Sequence, residues 1–385
     1  MRTYEEHLAA VRAALPARRV EACRLAKAPG RTLARTITAR RALPHFDNSQ
    51  MDGYALTTTE GGTFRVGRTI AAGDEPRPLE EGCATPIMTG ARVPENTACI
   101  VPVEHCQPPH FPQEGEQVTV PAAPHGQFIR KAGSDTRAGE ILAPAGTRIS
   151  PAVVGTLALQ GIEEVQVFAP ARILVCTGGA EIGGSGSAQI PDANAPLLAA
   201  MAQDYGIEVA GYVRTNDDPQ ALRAALHSAV RQLRPDAIVT SGGISHGKFE
   251  VIRQIFAESG WFGHVAQQPG GPQGLSRLGA VPVLSLPGNP ISTLVSFRLY
   301  VAPLLGSAPQ AVTARLAHSA EGLSGREQFR RGVLEGDSYG TLRASLHGGA
   351  GSHLLSQAIG ATALIRIPAH AHLSPGDTVE VFPLL

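Results

Sequence analysis

Apolar residues recur every three to four positions at the start of the chain, at Tyr4, Leu8, Val11 and Leu15. This spacing places them on one face of an α-helix. The pattern predicts an amphipathic helix over residues 1–15 rather than a secretion signal, which needs a continuous apolar stretch. No apolar run approaches the ~20 residues of a membrane-spanning helix. We therefore expect a cytoplasmic protein without a membrane partner.

Between residues 170 and 305, apolar runs typical of buried strands alternate with helical patterns. The predicted strands cover 172–176, 208–213, 236–240 and 281–285. The predicted helices lie near 193–205, 219–233, 248–259 and 291–305. Asp218 and Pro219 are a typical N-cap and first residue of the second helix. Regular alternation of strands and helices predicts a mostly parallel sheet with helices on its faces.

Short apolar runs separated by Gly, Pro, Ser and Thr flank this region on both sides. Those at 63–66 and 98–103 predict a β-rich lobe, and those at 332–334, 363–367 and 378–382 predict a C-terminal β-barrel. The N-terminal helix and the segment 149–161 are expected to close into one domain around the inserted lobe. The expected fold is therefore multidomain, α/β and β. Its parts are a split N-terminal domain (1–45 plus 130–168), an inserted β-rich lobe (46–129), a Rossmann-like α/β domain (169–307) and a C-terminal β-barrel (308–385).

Composition narrows the choice of partners. A chain of 385 residues exceeds the usual size of one core. Its 33 Lys and Arg balance its 33 Asp and Glu, so no overall field gathers a polyanion and nucleic acid is not expected. The five cysteines have neither a close pair nor metal-like spacing, so neither a disulfide framework nor a zinc site is expected.

The segment Asp47–Tyr54 is an unusually polar stretch with little apolar periodicity. Two carboxylates, two amides and a hydroxyl fall within it. Such a stretch makes a poor core segment, whereas ordered loops on rigid scaffolds commonly carry function. The alternative is an Asx-rich turn, in which Asp47 or Asn48 bonds its own backbone.

Glycine-bearing turns follow three of the predicted parallel strands. Ligands bind outside the carboxyl ends of such strands, and glycines let backbone amides approach an oxyanion. The alternative is that these glycines only make tight turns; hydroxyls at Ser241, Ser245 and Ser292 favour binding. The candidate binding residues of the turns are Thr177, Gly178, Ser241, Gly242, Gly243, Pro287, Gly288, Asn289 and Pro290.

Three segments, Asp47–Tyr54, Thr240–Ser245 and Leu286–Ser292, together resemble the molybdopterin molybdenumtransferases, the MoeA and gephyrin E-domain family. The resemblance covers nearly the whole chain. It implies binding of adenylylated molybdopterin, insertion of molybdate and release of AMP, with Mg²⁺ assisting. It also implies a homodimer, in which the Asp52 loop of one subunit faces the α/β domain of the other, and other molybdenum cofactor biosynthesis proteins as partners.

The resemblance implies further site residues. Those in catalytic positions are Asp52, Thr89, Asp135, Asp217, Glu250, Arg331 and Ser352. Further cofactor-binding positions are Asp192, Asn194, Ser245, Pro269 and Ser292. Asp217 and Glu250 are the expected magnesium ligands, and Arg331 and Ser352 belong to a molybdate pocket with Pro269 and Ser292. The alternatives are helix caps for Asp192 and Asp217, and a solvated strand charge for Arg331.

The chain departs from the family pattern within the predicted pocket. Where the family has a lysine-rich segment ending in Lys-Pro-Gly-Lys-Pro, this chain has His264, Gln268 and Gly271 in place of lysines. A lysine ~4 Å from an oxyanion contributes on the order of a few kcal/mol, so other cations are needed to compensate. The candidates are His264, Lys248, Arg253 and Arg277. Two hypotheses remain: a transferase with a rearranged anion site, or a paralogue that binds a pterin or nucleotide as a carrier or scaffold.

Overall fold

The structure is a computed structural model that describes residues 1–178, 190–215, 218–244, 250–338 and 340–385. The chain forms two compact units. The first contains Met1–Arg19 and Ala169–Leu385, and the second contains Val20–Phe168. The N-terminal helix, Tyr4–Ala14, lies in the first unit, whereas the sequence placed it beside residues 149–161.

A six-stranded sheet forms the centre of the first unit. In spatial order its strands are Glu208–Arg214, Arg172–Thr177, Ala237–Ser241, Val281–Leu286, Pro272–Leu278 and Trp261–His264. The first four are parallel, as predicted, and the last two form an antiparallel hairpin. The hairpin strands were not predicted, because Gly263, Gly274 and Pro272 make them read as loop.

Helices cover both faces of this sheet. They are Asn194–Asp204, Pro219–Leu233, Val251–Phe256 and Pro290–Ser296, the last continuing as a π-helix, Phe297–Val301, and a final turn, Ala302–Leu305. Alternate strand residues face opposite cores: Ile173 and Val175 belong to one hydrophobic cluster, Leu174 and Cys176 to another. Val11 joins the first cluster, which is why the N-terminal helix packs here.

The C-terminal part of the first unit is a closed five-stranded barrel, as predicted. Its strands are Glu327–Gly336, Leu342–Leu346, Val312–Leu316, Thr378–Pro383 and Ala363–Ile367, which pairs back onto the first. The short strand Gln267–Gln268 extends this sheet beside Glu327–Gly336. A short pair, Ala320–Glu321 with His372–Leu373, and a 3₁₀ turn, Ser356–Ala358, complete it.

The second unit is built on a five-stranded sheet with the spatial order Cys99–Pro102, Gly53–Leu56, Cys83–Ile87, Gly62–Val66 and Gln117–Val120. Three two-stranded pairs accompany it: Val20–Arg24 with Glu164–Phe168, Ile37–Thr38 with Ile141–Ala143, and Asn48–Ser49 with Ile129–Arg130. The helix Pro151–Leu159 and the 3₁₀ turns Leu25–Lys27 and Val103–His105 lie between the strands.

Within the described part of the chain, every helix is too short or too polar to span a bilayer.

Candidate functional site

The predicted glycine turns meet at the carboxyl edge of the parallel strands. Gly178 and Gly242 have φ values of +125° and +93°, which residues other than glycine rarely adopt. A Cβ on Gly288 would lie only 3.2 Å from the Cα of Gly242, so the turns after the third and fourth strands touch. A Cβ on Gly242 would also lie 3.8 Å from Gly178 O, so the structure brings all three predicted turns together.

The side chains around these turns hold the turns in place. Asn194 Nδ2 donates to Gly288 O at 2.7 Å. Asp192 accepts the N–H groups of Asn194 and Ala195 at 2.9 and 3.1 Å, and it also accepts the Thr177 hydroxyl at 2.8 Å. The helix-capping alternative for Asp192 is thus what the structure shows, together with a tie to the end of the first strand.

The turn after the fourth strand is fixed from the other side by buried hydroxyls. Ser241 Oγ lies 2.9 Å from Thr293 Oγ1 and 3.2 Å from Pro287 O. Thr293 Oγ1 also donates to Pro287 O at 2.7 Å. These side chains orient the Pro287–Pro290 turn. A ligand at this turn would therefore bind its backbone.

Two buried oxygens at this edge have no partner among the described residues: Asn194 Oδ1 and Thr215 Oγ1. An unpaired buried acceptor costs about 1–3 kcal/mol, so such atoms mark places where a ligand or water donates. Sequence reasoning missed Thr215. Its position one residue after the strand Glu208–Arg214, on the ligand-binding edge, was the available signal.

Arg331 is a buried cation at the barrel. It lies in the strand Glu327–Gly336 and is 4% exposed, so the alternative of a solvated strand charge does not hold. It donates to the carbonyls of Gly349 and Leu354, while Nε has no acceptor among the described residues. Burial, reinforced by Arg330, lowers the pKa of Arg331. No carboxylate in the described part of the chain pairs with it, and a buried charge without a counterion favours an anionic ligand.

A hydrogen bond joins the barrel loop to the turn after the fourth parallel strand. Asn289 Nδ2 donates to Ser352 Oγ at 3.0 Å. Ser292 and Pro269 are buried, and a Cβ on Gly270 would lie 3.4 Å from Ser292 O. The structure therefore brings Ser352 to Asn289, and the Pro269 loop to Ser292. Arg331 connects to the same barrel loop through Gly349.

One proposed replacement for the missing lysines is wrong. Arg277 donates to Ala14 O at 3.0 Å and to Ala280 O at 3.2 Å. Its strand neighbour is Pro282, near the start of the fourth parallel strand. Arg277 is therefore held at the edge opposite the glycine turns.

In the second unit, the structure brings Asp52 and Thr89 together. Asp52 Oδ1 accepts both the N–H and the hydroxyl of Thr89, each at 2.7 Å, and these bonds lower the pKa of Asp52. Asp52 itself is exposed, whereas Asn48, Ser49 and Tyr54 are buried. The polar stretch is therefore not one continuous loop, because its flanks are strand.

The remaining predicted residues are less defined. Asp135 is exposed, and its N–H bonds Leu43 O at 3.0 Å. Glu250 is half-buried just before the helix Val251–Phe256. Asp217 and Ser245 lie outside the described residues. Across the ranges that are described, no three His, Cys, Asp or Glu side chains group as a metal site.

Sequence families match the chain in succession. The MoeA N-terminal region (domain I and II) matches residues 2–161, a probable molybdopterin binding domain matches 172–307, and the MoeA C-terminal region (domain IV) matches 313–384.

Curated relatives and solved structures agree with these matches. The molybdopterin molybdenumtransferase 2 of Mycobacterium tuberculosis is 34% identical over a 413-residue alignment that covers 100% of both chains. The molybdopterin molybdenumtransferase 1 of that organism is 31% identical, with 99% of this chain and 98% of the relative covered. A molybdopterin biosynthesis MoeA protein from Pyrococcus horikoshii has a TM-score of 0.81 at 28% identity, with 100% of this chain and 99% of that chain covered. The fold, the matched regions and these relatives together show that the chain belongs to the molybdopterin molybdenumtransferase (MoeA) family.

Proposed function

We propose that this protein is a transferase of molybdenum cofactor biosynthesis that inserts molybdate into adenylylated molybdopterin and releases AMP. The observation that carries the proposal is Arg331, a buried cation without a carboxylate partner in the described part of the chain. The full-length relatives, which are named molybdopterin molybdenumtransferases, support it.

The two substrates are assigned to two parts of the first unit. The Gly178 and Gly242 turns lie beside the nucleotide and pyrophosphate of the pterin substrate, since glycine turns admit close approach of phosphate oxygens. Arg331, Ser292 and Ser352 surround the molybdate. Because both substrates are anionic, the Arg331 charge offsets their mutual repulsion as molybdate approaches the dithiolene sulfurs.

The test is molybdate-dependent AMP release by an Arg331→Ala variant. We expect release to fall by at least about a hundredfold, as for other lost electrostatic contacts to a reacting anion, while nucleotide binding is retained. Arg330→Ala is the matched control, because neighbouring strand residues point to opposite faces and Arg330 lies off the pocket side. An unchanged rate in Arg331→Ala would remove this residue from the pocket.

Magnesium is implied by the resemblance rather than by the described residues. Glu250 is the one expected ligand within them, and one carboxylate is too few for a protein-built magnesium site. The described residues therefore do not hold the metal by themselves. Its involvement stays a prediction: AMP release should stop on chelation with EDTA and return on adding Mg²⁺.

A homodimer and a cytoplasmic location likewise stay predictions from the sequence. The dimer is tested by sedimentation of the purified protein, and the location by cell fractionation. Other molybdenum cofactor biosynthesis proteins are the proposed partners, to be tested by co-purification.

The alternative function, a carrier or scaffold that binds a pterin or nucleotide, is not favoured. The full-length relatives are named as transferases, which supports the enzyme over the carrier. Tight binding of adenylylated molybdopterin without oxyanion-stimulated AMP release would be the result that supports the carrier.

A further inference from the structure

The segment that lacks the family's lysines lies close to the Arg331 strand. Residues Val265–Gly271 connect the two hairpin strands and contain neither Lys nor Arg. Within this loop, Gln267 and Gln268 pair with Glu327 and Gln328, at the start of the strand that carries Arg331. The loop is thus built into the predicted oxyanion pocket without a cation of its own.

Two buried glutamines hold successive carbonyls of this loop. Gln267, 2% exposed, donates Nε2 to Pro269 O at 3.0 Å. Gln273, 1% exposed, donates Nε2 to Gly270 O at 2.8 Å. Both side chains are fixed in turn, because Gln267 Oε1 accepts the Tyr300 hydroxyl and Gln273 Nε2 also lies 2.7 Å from Ser296 Oγ.

These bonds determine where the next two amides point. In a planar trans peptide the N–H points away from the C=O of the same unit. Because the carbonyls of Pro269 and Gly270 point to the glutamines, the N–H groups of Gly270 and Gly271 point the other way. Neither N–H has an acceptor among the described residues, whereas Val265 N and Gln267 N are both bonded inside the loop.

The backbone of Gly270 requires glycine. Its φ is +86°, and a Cβ would lie 2.8 Å from Ser296 Oγ and 3.0 Å from Gln267 Nε2. Gly271 is different: a Cβ there meets atoms no closer than 3.5 Å, which is ordinary contact. Position 271 can therefore accept a side chain, including the lysine that the family pattern has.

We propose that the N–H groups of Gly270 and Gly271 are oxyanion donors that replace the missing lysine charges, and that Gln267 and Gln273 are the positioning residues that aim them. Two successive amides that point away from the glutamines and lack an acceptor among the described residues are the kind of donors that bind an anion. The ligand class is a tetrahedral oxyanion such as molybdate or tungstate. The inference rests on the proposed function, since it concerns the same pocket. Arg331, with its unpaired Nε, supplies the positive charge.

The first test substitutes the positioning residues. Gln267→Met and Gln273→Met keep the buried volume but free the carbonyls, so the two amides lose their fixed direction. We expect the KM for molybdate to rise about tenfold in each, as for the loss of a hydrogen bond to a charged group, with little change in the KM for adenylylated molybdopterin. Gln160→Met is the matched control, because Gln160 is also buried and bonds the backbone of Arg40 and Arg41 in the second unit.

The second test adds the charge back. Gly271→Lys should lower the KM for molybdate at low ionic strength, and the gain should shrink as salt screens the new charge. In this background Gln273→Met should raise the KM for molybdate less than it does in the wild type. Gly155→Lys is the control, since Gly155 is exposed in the second unit with open space at its Cα.

Equilibrium titration of the full-length protein with molybdate alone separates this inference from the proposed function. A wild type that binds molybdate with glutamine-dependent affinity but releases no AMP would refute the function and leave the inference intact. Unchanged molybdate affinity in both glutamine variants, or no gain in Gly271→Lys, overturns the inference even if AMP is released.

Discussion

At the scale of single residues, two hydrogen bonds stabilise the ionised form of Asp52. The Thr89 N–H and hydroxyl stabilise its carboxylate and lower its pKa from the ordinary value of 3.8. Thr89→Val removes the hydroxyl and keeps the N–H, so the pKa of Asp52 should rise towards 3.8. An NMR titration of the Asp52 carboxyl carbon measures this shift directly.

If the reaction uses the Asp52 carboxylate, the loss of AMP release at acidic pH should occur at a higher pH in Thr89→Val. This shift should equal the change in the pKa of Asp52. Thr97→Val is the control, because the Thr97 hydroxyl donates to Pro94 O within the same unit. An Asp52 pKa that does not move would show that the N–H alone sets it.

His7 is the residue whose burial has the clearest consequence for stability. Its ring lies 4.7 Å from the Tyr300 ring and 5.2 Å from Trp261. Desolvation, with the nearby Arg2 charge, lowers its pKa from 6.5 to about 3. Below pH 6.5, His7 is therefore protonated in the unfolded chain but stays neutral in the folded chain. The stability that the neutral, buried His7 contributes is fully present above pH 6.5 and is lost as the pH falls towards 3.

We expect His7→Phe, which keeps a flat ring but cannot titrate, to remove this loss. Between pH 7.5 and pH 5 the wild type should lose about 2 kcal/mol more than the variant, from 1.36 kcal/mol per pH unit below 6.5. Urea unfolding at the two pH values measures the difference. Equal losses in both proteins would mean that His7 is protonated in the folded state.

Residue-scale predictions from sequence succeeded where chemistry is local and failed where burial decides. The Asp192 cap was readable because a cap needs only neighbouring N–H groups. The burial of Arg331 was not, since closure of the barrel decides which face of its strand is inside. Gln267 and Gln273 were missed because polar residues among Gly and Pro read as a surface loop.

At the scale of elements, apolar runs predicted the four parallel strands. The hairpin of Trp261–His264 and Pro272–Leu278 was not predicted, because its glycines are typical of loops. The contact between the first helix of the α/β region, Asn194–Asp204, and the Pro-Gly-Asn-Pro turn was also not predicted, because it joins segments about ninety residues apart. It is made by the amide of Asn194, which donates to Gly288 O at 2.7 Å. This bond fixes the turn relative to the helix Asn194–Asp204.

We expect Asn194→Asp to be more harmful than Asn194→Ala. Aspartate puts a carboxylate oxygen against the Gly288 carbonyl, whereas alanine only removes the donor. The free energy of unfolding should fall by about 1–3 kcal/mol, and the KM for adenylylated molybdopterin should rise. Urea unfolding and AMP-release kinetics measure both. Asn96→Asp, at an exposed turn residue with φ +64°, is the control, and equal effects of the two Asn194 variants would contradict the role of the bond.

At the scale of the whole molecule, the proposed homodimer makes a specific prediction about mixed subunits. If Asp52 of one subunit serves the α/β site of the other, a dimer of one Asp52→Ala chain and one Arg331→Ala chain contains one intact site. Random mixing of the two inactive proteins should then restore about a quarter of the wild-type rate. AMP release after co-refolding measures this, and no recovery would place both residues in a site made by one chain.

The division of the chain into two units predicts that the second unit is an insertion that can be removed. Arg19 O accepts the N–H of Ala169 at 2.8 Å. The chain therefore leaves the first unit and returns to it at adjacent points. Val20 likewise pairs with Phe168, which closes the second unit on itself. Each hydrophobic cluster of the described residues lies within one unit, and a part with its own core and adjacent ends is expected to fold alone.

We therefore expect a protein in which a Gly-Gly linker replaces residues 20–168 to fold and to bind molybdate through Arg331 and the Gly270–Gly271 amides. It should release no AMP, because Asp52 and Thr89 are gone. Circular dichroism, molybdate titration and AMP release measure the three properties. A linker variant carrying Arg331→Ala is the control, since it should fold equally well and lose molybdate binding. An unfolded product would show that the first unit needs the second for its stability, and retained AMP release would exclude Asp52 from the reaction.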